Sequence, residues 1–295
     1  MTADQPRTSL HDRLSLAGQV AVVTGGGGGI GRAIALQLAA AGAHVAVFDV
    51  FADRAEEAAA RVREYGVEAM ALPGDAMETD VLRTAIGATD ARFGRLGILV
   101  NNAGGVSGRA FLEQSERTWR RHIDINLVSM LAATQAAAPI MIREGRGGSI
   151  VNVASIEASR AAPNFAVYGA CKAGMVAFTK SMAIELSQHG IRVNCIAPDH
   201  TVTPGNQGNC AGPVDAATWR QQPPEERDAM NRLIPLGREG IDTECGDAAV
   251  FLCSALSSYV TGVVLPVDGG TVAAGGWVRG SNGKWTLNEG LNFGG

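Results

Sequence analysis

A strand that runs directly into a glycine-rich turn and then into a helix is the feature that most restricts this chain's fold. Residues 19–24 form an apolar run rich in Val, residues 25–31 hold six glycines around Ile30, and a helical pattern follows from Arg32 to Ala41. Glycines at such a turn let the backbone approach a pyrophosphate, which the free N–H groups of the helix start can hold. A flexible linker rarely separates a Val-rich strand from a helix over so few residues. The pattern predicts a dinucleotide-binding unit.

A second apolar strand, residues 43–48, ends at Asp49, about 20 residues beyond the glycines. A carboxylate at that place can accept hydrogen bonds from the adenosine ribose hydroxyls, and it would repel a 2′-phosphate. No Arg or Lys stands at positions 50–52. The segment therefore favours NAD over NADP.

The rest of the chain continues to alternate short apolar strands with helical patterns. This alternation predicts a single-domain α/β fold of the Rossmann type, with a doubly wound, parallel, seven-stranded sheet in a three-layer α/β/α arrangement. Right-handed crossovers would place a ligand crevice at the carboxyl ends of the strands. The predicted strands are Val20–Thr24, Val45–Asp49, Glu68–Leu72, Ile98–Asn101, Ser149–Val153, Arg192–Ala197 and Val263–Val267.

Tyr168 and Lys172 are four residues apart in a helical segment, so they share one face of the helix. An ammonium group near a phenol stabilises the phenolate, and we expect it to lower the pKa of Tyr168 from about 10. Tyr168 could then exchange a proton near pH 7. Most Tyr/Lys pairs with this spacing lie on a solvated helix surface, so this pair indicates a catalytic site only in combination with the other motifs.

The motifs, in this order, resemble the classical short-chain dehydrogenase/reductase family from about Leu16 to Gly270. The resemblance rests on the glycine turn, on Asn101-Asn102-Ala103-Gly104 after a strand, and on Tyr168 and Lys172. It implies a catalytic tetrad of Asn126, Ser155, Tyr168 and Lys172. It also implies that the cofactor is bound by Gly25, Gly28, Gly29, Ile30, Gly31, Asp49, Asp75, Ala76, Asn102, Ala103, Gly104, Tyr168, Lys172, Pro198, Thr201 and Thr203.

The substrate side is less constrained by the resemblance. Ser155 and Tyr168 would contact the substrate. Glu157 matches a pocket position, where a carboxylate would disfavour anionic substrates. Trp219 would either cover the substrate or anchor its own loop to the body of the protein. Residues 204–232 match the variable region that shapes substrate choice, and we expect a lid there. Asp199 replaces the family's usual glycine; with His200 it suggests either a proton relay or, as the favoured interpretation, a loop-stabilising Asp beside a surface His.

Both ends of the chain lie outside the family resemblance. Residues 1–15 are expected to form an N-terminal arm, residues 16–270 the dinucleotide-binding and catalytic domain, and residues 271–295 a tail. Asn282-Gly283 is a strong hairpin-turn signal, and two of the four tryptophans lie in this tail. A hairpin is marginal alone, so we expect it to pack on the body or on a neighbouring subunit.

Composition excludes several classes of protein. The net charge is −4 and no Lys/Arg cluster occurs, which argues against a nucleic-acid partner. Apolar stretches are interrupted before 18 residues, so no membrane contact is expected, and the polar start lacks a signal-peptide core. The five cysteines and five histidines are scattered and do not have the spacing of metal ligands. We expect the cysteines to be reduced and to serve as packing residues. We expect a cytoplasmic protein without a metal.

These observations predict an NAD-dependent oxidoreductase that interconverts a secondary alcohol and a ketone by direct hydride transfer, on a bulky or cyclic small-molecule substrate. The family resemblance further implies a homotetramer. Two alternatives stay open: an NADPH-dependent 3-oxoacyl-type ketone reductase, and a non-catalytic dinucleotide-binding sensor.

Overall fold

The protein folds around a parallel seven-stranded sheet. A computed structural model describes residues 9–207, 209, 212, 214, 217 and 222–287. The strands of this sheet are β1 Val20–Thr24, β2 His44–Asp49, β3 Ala69–Pro73, β4 Ile98–Asn101, β5 Gly148–Val153, β6 Ile191–Pro198 and β9 Val264–Val267. Their order in the sheet is β3-β2-β1-β4-β5-β6-β9, and every pair of neighbours is parallel. Two short pairs lie outside it, namely β7 Thr201–Val202 with β8 Gly240–Ile241, and β10 Val278–Arg279 with β11 Trp285–Thr286.

Helices cover both faces of the sheet. The helices within the described residues are α1 Leu10–Leu14, α2 Gly29–Ala40, α3 Ala52–Arg63, α4 Thr79–Phe93, α5 Glu116–Ile123, α6 Ser129–Glu144, α7 Ala166–Glu185, α8 Pro224–Leu233, α9 Asp242–Cys253 and α10 Thr271–Ala274. Helices α2, α3 and α9 pack on one face of the sheet, and α4, α6 and α7 contribute to the core on the other. The predicted three-layer arrangement is confirmed.

The strands alternate their side chains between the two cores. Val23 and Val47 belong to the core under α2, α3 and α9, whereas Val22 and Ala46 belong to the opposite core. Because successive residues of a strand point to opposite faces, a strand covered on both sides must be apolar throughout. The continuous apolar runs in the sequence follow from this burial.

Sequence and structure agree closely on the seven strands. No strand boundary differs from the predicted one by more than one residue; β3, for example, is predicted at 68–72 and lies at Ala69–Pro73. Helix α2 begins at Gly29 rather than at Arg32, because the last glycines of the glycine-rich segment already form its first turn. The tail hairpin is also found, with Arg279 opposite Trp285. It packs on the body, where Trp285 and Trp277 border a small apolar cavity at Pro235.

One long helical stretch departs from the sequence expectation. By length and composition alone, Glu116–Glu144 could cross a membrane. Its apolar side chains Met130, Ala133, Ala137 and Met141 are buried within the protein core instead. The described cysteines, Cys171, Cys195, Cys245 and Cys253, are all buried and unpaired, as expected for packing residues. No cluster of three or more metal-ligating side chains occurs among the residues that the structure describes.

Candidate active site

A cleft of about 980 Å³ runs along the carboxyl ends of the strands. Of the predicted site residues, it is lined by Gly25, Gly28, Gly29, Ile30, Asp49, Asp75, Ala76, Asn102, Ala103, Gly104, Asn126, Ser155, Tyr168, Lys172, Pro198, Thr201 and Thr203. The parallel sheet brings these segments together because every one of its strands ends at the same edge. Their individual roles stay predictions.

The glycine turn is held against the neighbouring strand β4. The Asn102 side chain donates hydrogen bonds to the carbonyls of Thr24 and Gly25, both at 3.0 Å, and the Asn102 backbone N–H donates to Thr24 Oγ1 at 3.0 Å. Gly25 has a φ of +62°, which a glycine adopts without strain. The turn is therefore fixed in shape before any ligand enters.

Gly31 lies behind the cleft rather than in its lining. A Cβ atom on Gly31 would lie 2.1 Å from the Gly25 carbonyl oxygen and 2.3 Å from Asn102 Nδ2. This glycine allows α2 to pack closely on the turn, which is the packing role that the third glycine of such a fingerprint has. The structure thus gives Gly31 a part in shaping the turn, and its part in cofactor binding stays a prediction.

Asp49 and Arg54 lie together at the glycine end of the cleft. The Asp49 carboxylate accepts hydrogen bonds from the backbone N–H groups of Gly27, at 2.9 Å, and Phe51, at 3.0 Å. Arg54 is 7% exposed, and its guanidinium group donates to the carbonyls of Asn209, at 2.9 Å, and Gly212. Arg54 therefore ties the predicted lid segment to the cofactor end of the cleft.

Arg54 is not among the site residues predicted from the sequence, because it lies beyond positions 50–52, in the first turn of α3. Its side chain folds back towards the glycine turn, and its Nη1 atom would lie 3.2 Å from a Cβ atom on Gly28. A cationic residue one helical turn beyond the strand-ending Asp is the signal that could have identified it.

Ser155, Tyr168, Lys172 and Asn126 meet at the other end of the cleft. Ser155 follows β5 and hydrogen-bonds the Tyr168 hydroxyl, while α7 carries both Tyr168 and Lys172. The Lys172 ammonium lies 5.5 Å from the centroid of the Tyr168 ring and donates to the Val153 carbonyl at 2.8 Å. The i, i+4 spacing thus places both side chains on the cleft face of one helix.

Asn126 is held by backbone groups on all sides. It lies, fully buried, in a π-helical turn at Asp124–Val128 between α5 and α6. Its side-chain amide donates to the carbonyls of Gly105, at 2.8 Å, and His122, at 3.0 Å, and accepts from the Gly105 N–H at 3.1 Å. π-Helical turns often mark functional positions, and this one fixes Asn126 close to the loop beside Lys172.

The pKa values at this site differ from the sequence expectation. Burial raises the pKa of Tyr168 above its ordinary value; the hydrogen bond from Ser155 opposes that rise, and the nearby Glu157 carboxylate adds to it. Burial also lowers the pKa of Lys172 to about 8. The expected lowering of the Tyr168 pKa by Lys172 is wrong for this structure, because the desolvation of the phenolate outweighs the other effects.

Asp199 adopts its position without backbone strain. Asn164 is the one non-glycine residue with a positive φ in the part of the chain that the structure describes, so Asp199 needs no left-handed conformation. Its Oδ1 atom lies 3.6 Å from both His200 Nε2 and an Arg160 guanidinium nitrogen. That separation from His200 is too long for a hydrogen bond, and the geometry favours the loop-stabilising interpretation over a relay.

The predicted substrate residues are only partly brought together. Ser155 and Tyr168 line the cleft, whereas Glu157 is not in its lining and forms an ion pair with Arg160 at 2.8 Å. Trp219 lies outside the described residues. In the 204–232 segment, α8 begins at Pro224, and the Asn206 side chain donates to the Thr201 carbonyl at 2.9 Å.

Comparisons with known proteins agree with this geometry. A family model described as enoyl-(acyl carrier protein) reductase matches residues 25–272. A 3-oxoacyl-[acyl-carrier-protein] reductase of Staphylococcus aureus is 36% identical over 251 residues, which are 85% of this chain and 96% of that protein.

Two solved structures are similar over most of their length. A gluconate 5-dehydrogenase of Burkholderia cenocepacia, in complex with NADP and tartrate, has a TM-score of 0.80 at 34% identity, covering 90% of this chain and 100% of that one. A 7α-hydroxysteroid dehydrogenase, complexed with NADH and 7-oxoglycochenodeoxycholic acid, has a TM-score of 0.81 at 33% identity. The match covers 89% of this chain and 98% of that one. With this fold, this cleft and these relatives, the chain belongs to the classical short-chain dehydrogenase/reductase family and is an oxidoreductase.

Proposed function

We propose that the protein is an NAD-dependent oxidoreductase that interconverts a secondary alcohol and a ketone by direct hydride transfer, on a bulky or cyclic substrate. The observation that carries this proposal is one cleft with Asp49 and the glycine turn at one end and Ser155, Tyr168 and Lys172 at the other. A dinucleotide can span such a cleft with its nicotinamide beside the tyrosine.

The residues of the turn fit a dinucleotide. A Cβ atom on Gly25 would lie 3.0 Å from the Ala103 Cα atom, and a Cβ atom on Gly29 would lie 3.3 Å from Thr203 Cβ. Because both residues are glycines, the space beside the backbone of the turn is left free of side-chain atoms. The N-terminus of α2, which begins at Gly29, directs free N–H groups to the cleft. When bound, the nicotinamide supplies the hydride acceptor or donor.

The chain's own residues handle the proton and the substrate oxygen. Ser155 donates a hydrogen bond to the substrate oxygen and stabilises charge that develops there. Tyr168 gives its phenolic proton to the substrate oxygen during reduction, and in the phenolate form it takes the hydroxyl proton during oxidation. Lys172 keeps this end of the cleft positively charged, and Asn126 positions the loop beside it, where a proton path through water would start.

A second candidate is an NADPH-dependent 3-oxoacyl-type ketone reductase. Two observations favour it: the similar reductase of Staphylococcus aureus and the Arg54 guanidinium beside Asp49. Arg54 is already engaged by the carbonyls of Asn209 and Gly212, however, and Asp49 would still repel a 2′-phosphate. These contacts support NAD as the first choice. A non-catalytic sensor is less well supported, because all four tetrad positions are present.

A cofactor titration tests the proposal. We expect NADH to bind more tightly than NADPH in a nicotinamide fluorescence titration, and one of a panel of cyclic and steroid-like alcohols to be oxidised with NAD. Preference for NADPH would select the reductase alternative, and NADH binding without turnover of any alcohol in the panel would favour the non-catalytic sensor. Binding of neither cofactor would refute the proposal.

The variant Tyr168→Phe then tests the mechanism. It should lower kcat by about 10²–10⁴-fold, the usual contribution of a general acid/base, while the Kd for NADH changes little. Tyr65→Phe is the matched control, because Tyr65 is half-exposed on the surface outside the cleft. A Tyr168→Phe enzyme with near-normal turnover would refute the assigned role.

The proposal includes a cytoplasmic homotetramer. The unpaired buried cysteines are typical of a reducing compartment, and the apolar side chains of Ile184 and Tyr259 are largely exposed on the single chain, as is common where subunits meet. Light scattering after size-exclusion chromatography gives the number of subunits directly.

A further inference from the structure

One face of α5 forms a wall of the cleft. Its cleft-lining residues are Arg117, Thr118, Arg121, His122 and Ile125, which is just beyond the helix end. They follow the spacing i, i+1, i+4, i+5 and i+8, which is a single stripe along a helix. This face is therefore directed to the cleft as a whole, and two of its members are arginines.

Arg117 and Arg121 are solvent-exposed residues on this face of α5. Neither guanidinium group has a carboxylate partner among the described residues, whereas Arg120, one residue away on another face, pairs with Glu116 at 2.7 Å. Arg117 and Arg121 are also one helical turn apart, so their like charges repel each other. An anion between or beside them would relieve this repulsion.

A polar pair, the buried His122 and the exposed Ser107, adjoins these arginines. His122 is 8% exposed, and its Nε2 atom lies 3.1 Å from Ser107 Oγ, with both residues in the cleft lining. Neither has a task in proton or hydride transfer. An imidazole and a hydroxyl at this place offer further hydrogen bonds to an oxygen-rich ligand group.

The arginines are at the catalytic end of the cleft and not at the pyrophosphate end. Helix α5 packs against α7, which carries Tyr168 and Lys172. At a helical rise of 1.5 Å per residue, Arg121 lies about 8 Å and Arg117 about 14 Å along the helix from Asn126. Both arginines therefore lie on the cleft wall beyond Asn126, which is itself one of the four predicted catalytic residues.

We infer that Arg117 and Arg121 bind an anionic group, a carboxylate or a phosphate, at the end of the substrate distant from the reacting carbon. The inference rests on the proposed function and adds a substrate class to it: a bulky or cyclic alcohol or ketone that carries a negative charge. The sequence had suggested that Glu157 disfavours such substrates, but Arg160 pairs with its charge and Glu157 does not line the cleft.

The test compares binding of a charged probe with binding of its neutral analogue. Cyclohexanecarboxylate and cyclohexanecarboxamide are titrated into the full chain with and without NADH, and Kd values are obtained by saturation-transfer NMR. We expect the carboxylate to bind about tenfold more tightly at 20 mM salt, and this preference to shrink at 500 mM as salt screens exposed charges. Cyclohexyl phosphate in a third arm separates a carboxylate site from a phosphate site.

Variants assign the preference to residues. Arg117→Gln/Arg121→Gln should abolish the preference for the anion, while Arg120→Gln, on the same helix but outside the cleft lining, should keep it. Circular dichroism confirms that both variants are folded. Equal binding of the two probes to the wild-type chain, or an unchanged preference in the double variant, would overturn the inference. Because NADH binding is measured separately, its loss would count against the proposed function and leave the probe comparison valid.

Discussion

Replacement of the buried Lys172 by Met should change how stability depends on pH. Lys172 is 3% exposed and its pKa is lowered from 10.5 to about 8. Since one pKa unit corresponds to about 1.4 kcal/mol, keeping this side chain charged costs the folded state about 3 kcal/mol at pH 7. Lys172→Met removes that cost and also the hydrogen bond to the Val153 carbonyl, which contributes about 1–3 kcal/mol.

The sign of the pH effect follows from proton linkage. Between the folded pKa of about 8 and the unfolded value of 10.5, the unfolded state binds more protons, so the stability contribution of Lys172 rises with pH. The cost falls from about 3 kcal/mol at pH 7 to about 2 kcal/mol at pH 9. The wild-type protein should therefore gain about 1 kcal/mol relative to Lys172→Met over this range.

Urea unfolding at pH 7, 8 and 9 measures this difference. The experiment is done without cofactor, with Lys180→Met as the matched control, because Lys180 is an exposed lysine in the same helix α7. The control should follow the wild-type pH profile. Parallel profiles for wild type and Lys172→Met would refute the reasoning, since they would mean that burial does not perturb the Lys172 ammonium.

Three further predictions concern the turn, the cofactor and the tail. Gly31→Ala should cost about 1–3 kcal/mol in urea unfolding, because its Cβ would lie 2.1 Å from the Gly25 carbonyl oxygen, whereas the control Gly87→Ala has open space and should be neutral or stabilising. Asp49→Ala should reduce the ratio of the NADPH Kd to the NADH Kd about tenfold in a fluorescence titration. The surface control Asp53→Ala should leave this ratio unchanged. An unchanged ratio in Asp49→Ala would contradict the role of Asp49. Trp285→Ala should speed amide hydrogen exchange in the tail hairpin, because it removes the ring that stacks 4.9 Å from the Arg279 guanidinium; unchanged exchange would mean that other contacts hold the hairpin.

The strands and the glycine turn could be predicted because their signals are local. A strand covered on both faces requires a continuous apolar run, and a strand-to-helix turn at a phosphate requires glycine, whatever the rest of the chain does. Tyr168 and Lys172 belong to the same class, since helical spacing alone places them on one face. The hairpin at Asn282-Gly283 was likewise determined by its turn residues.

Properties that depend on contacts between distant segments were decided only by the tertiary structure. Arg54 reaches the cofactor end because α3 packs beside the glycine turn and meets carbonyls more than 150 residues later. The pKa of Tyr168 rises because packing of whole elements removes water from it, which residue type and spacing do not reveal. Sequence determined which residues form each strand, turn and helix; the three-dimensional packing decided which charges share the cleft and how deeply they are buried, because both depend on every segment that surrounds them.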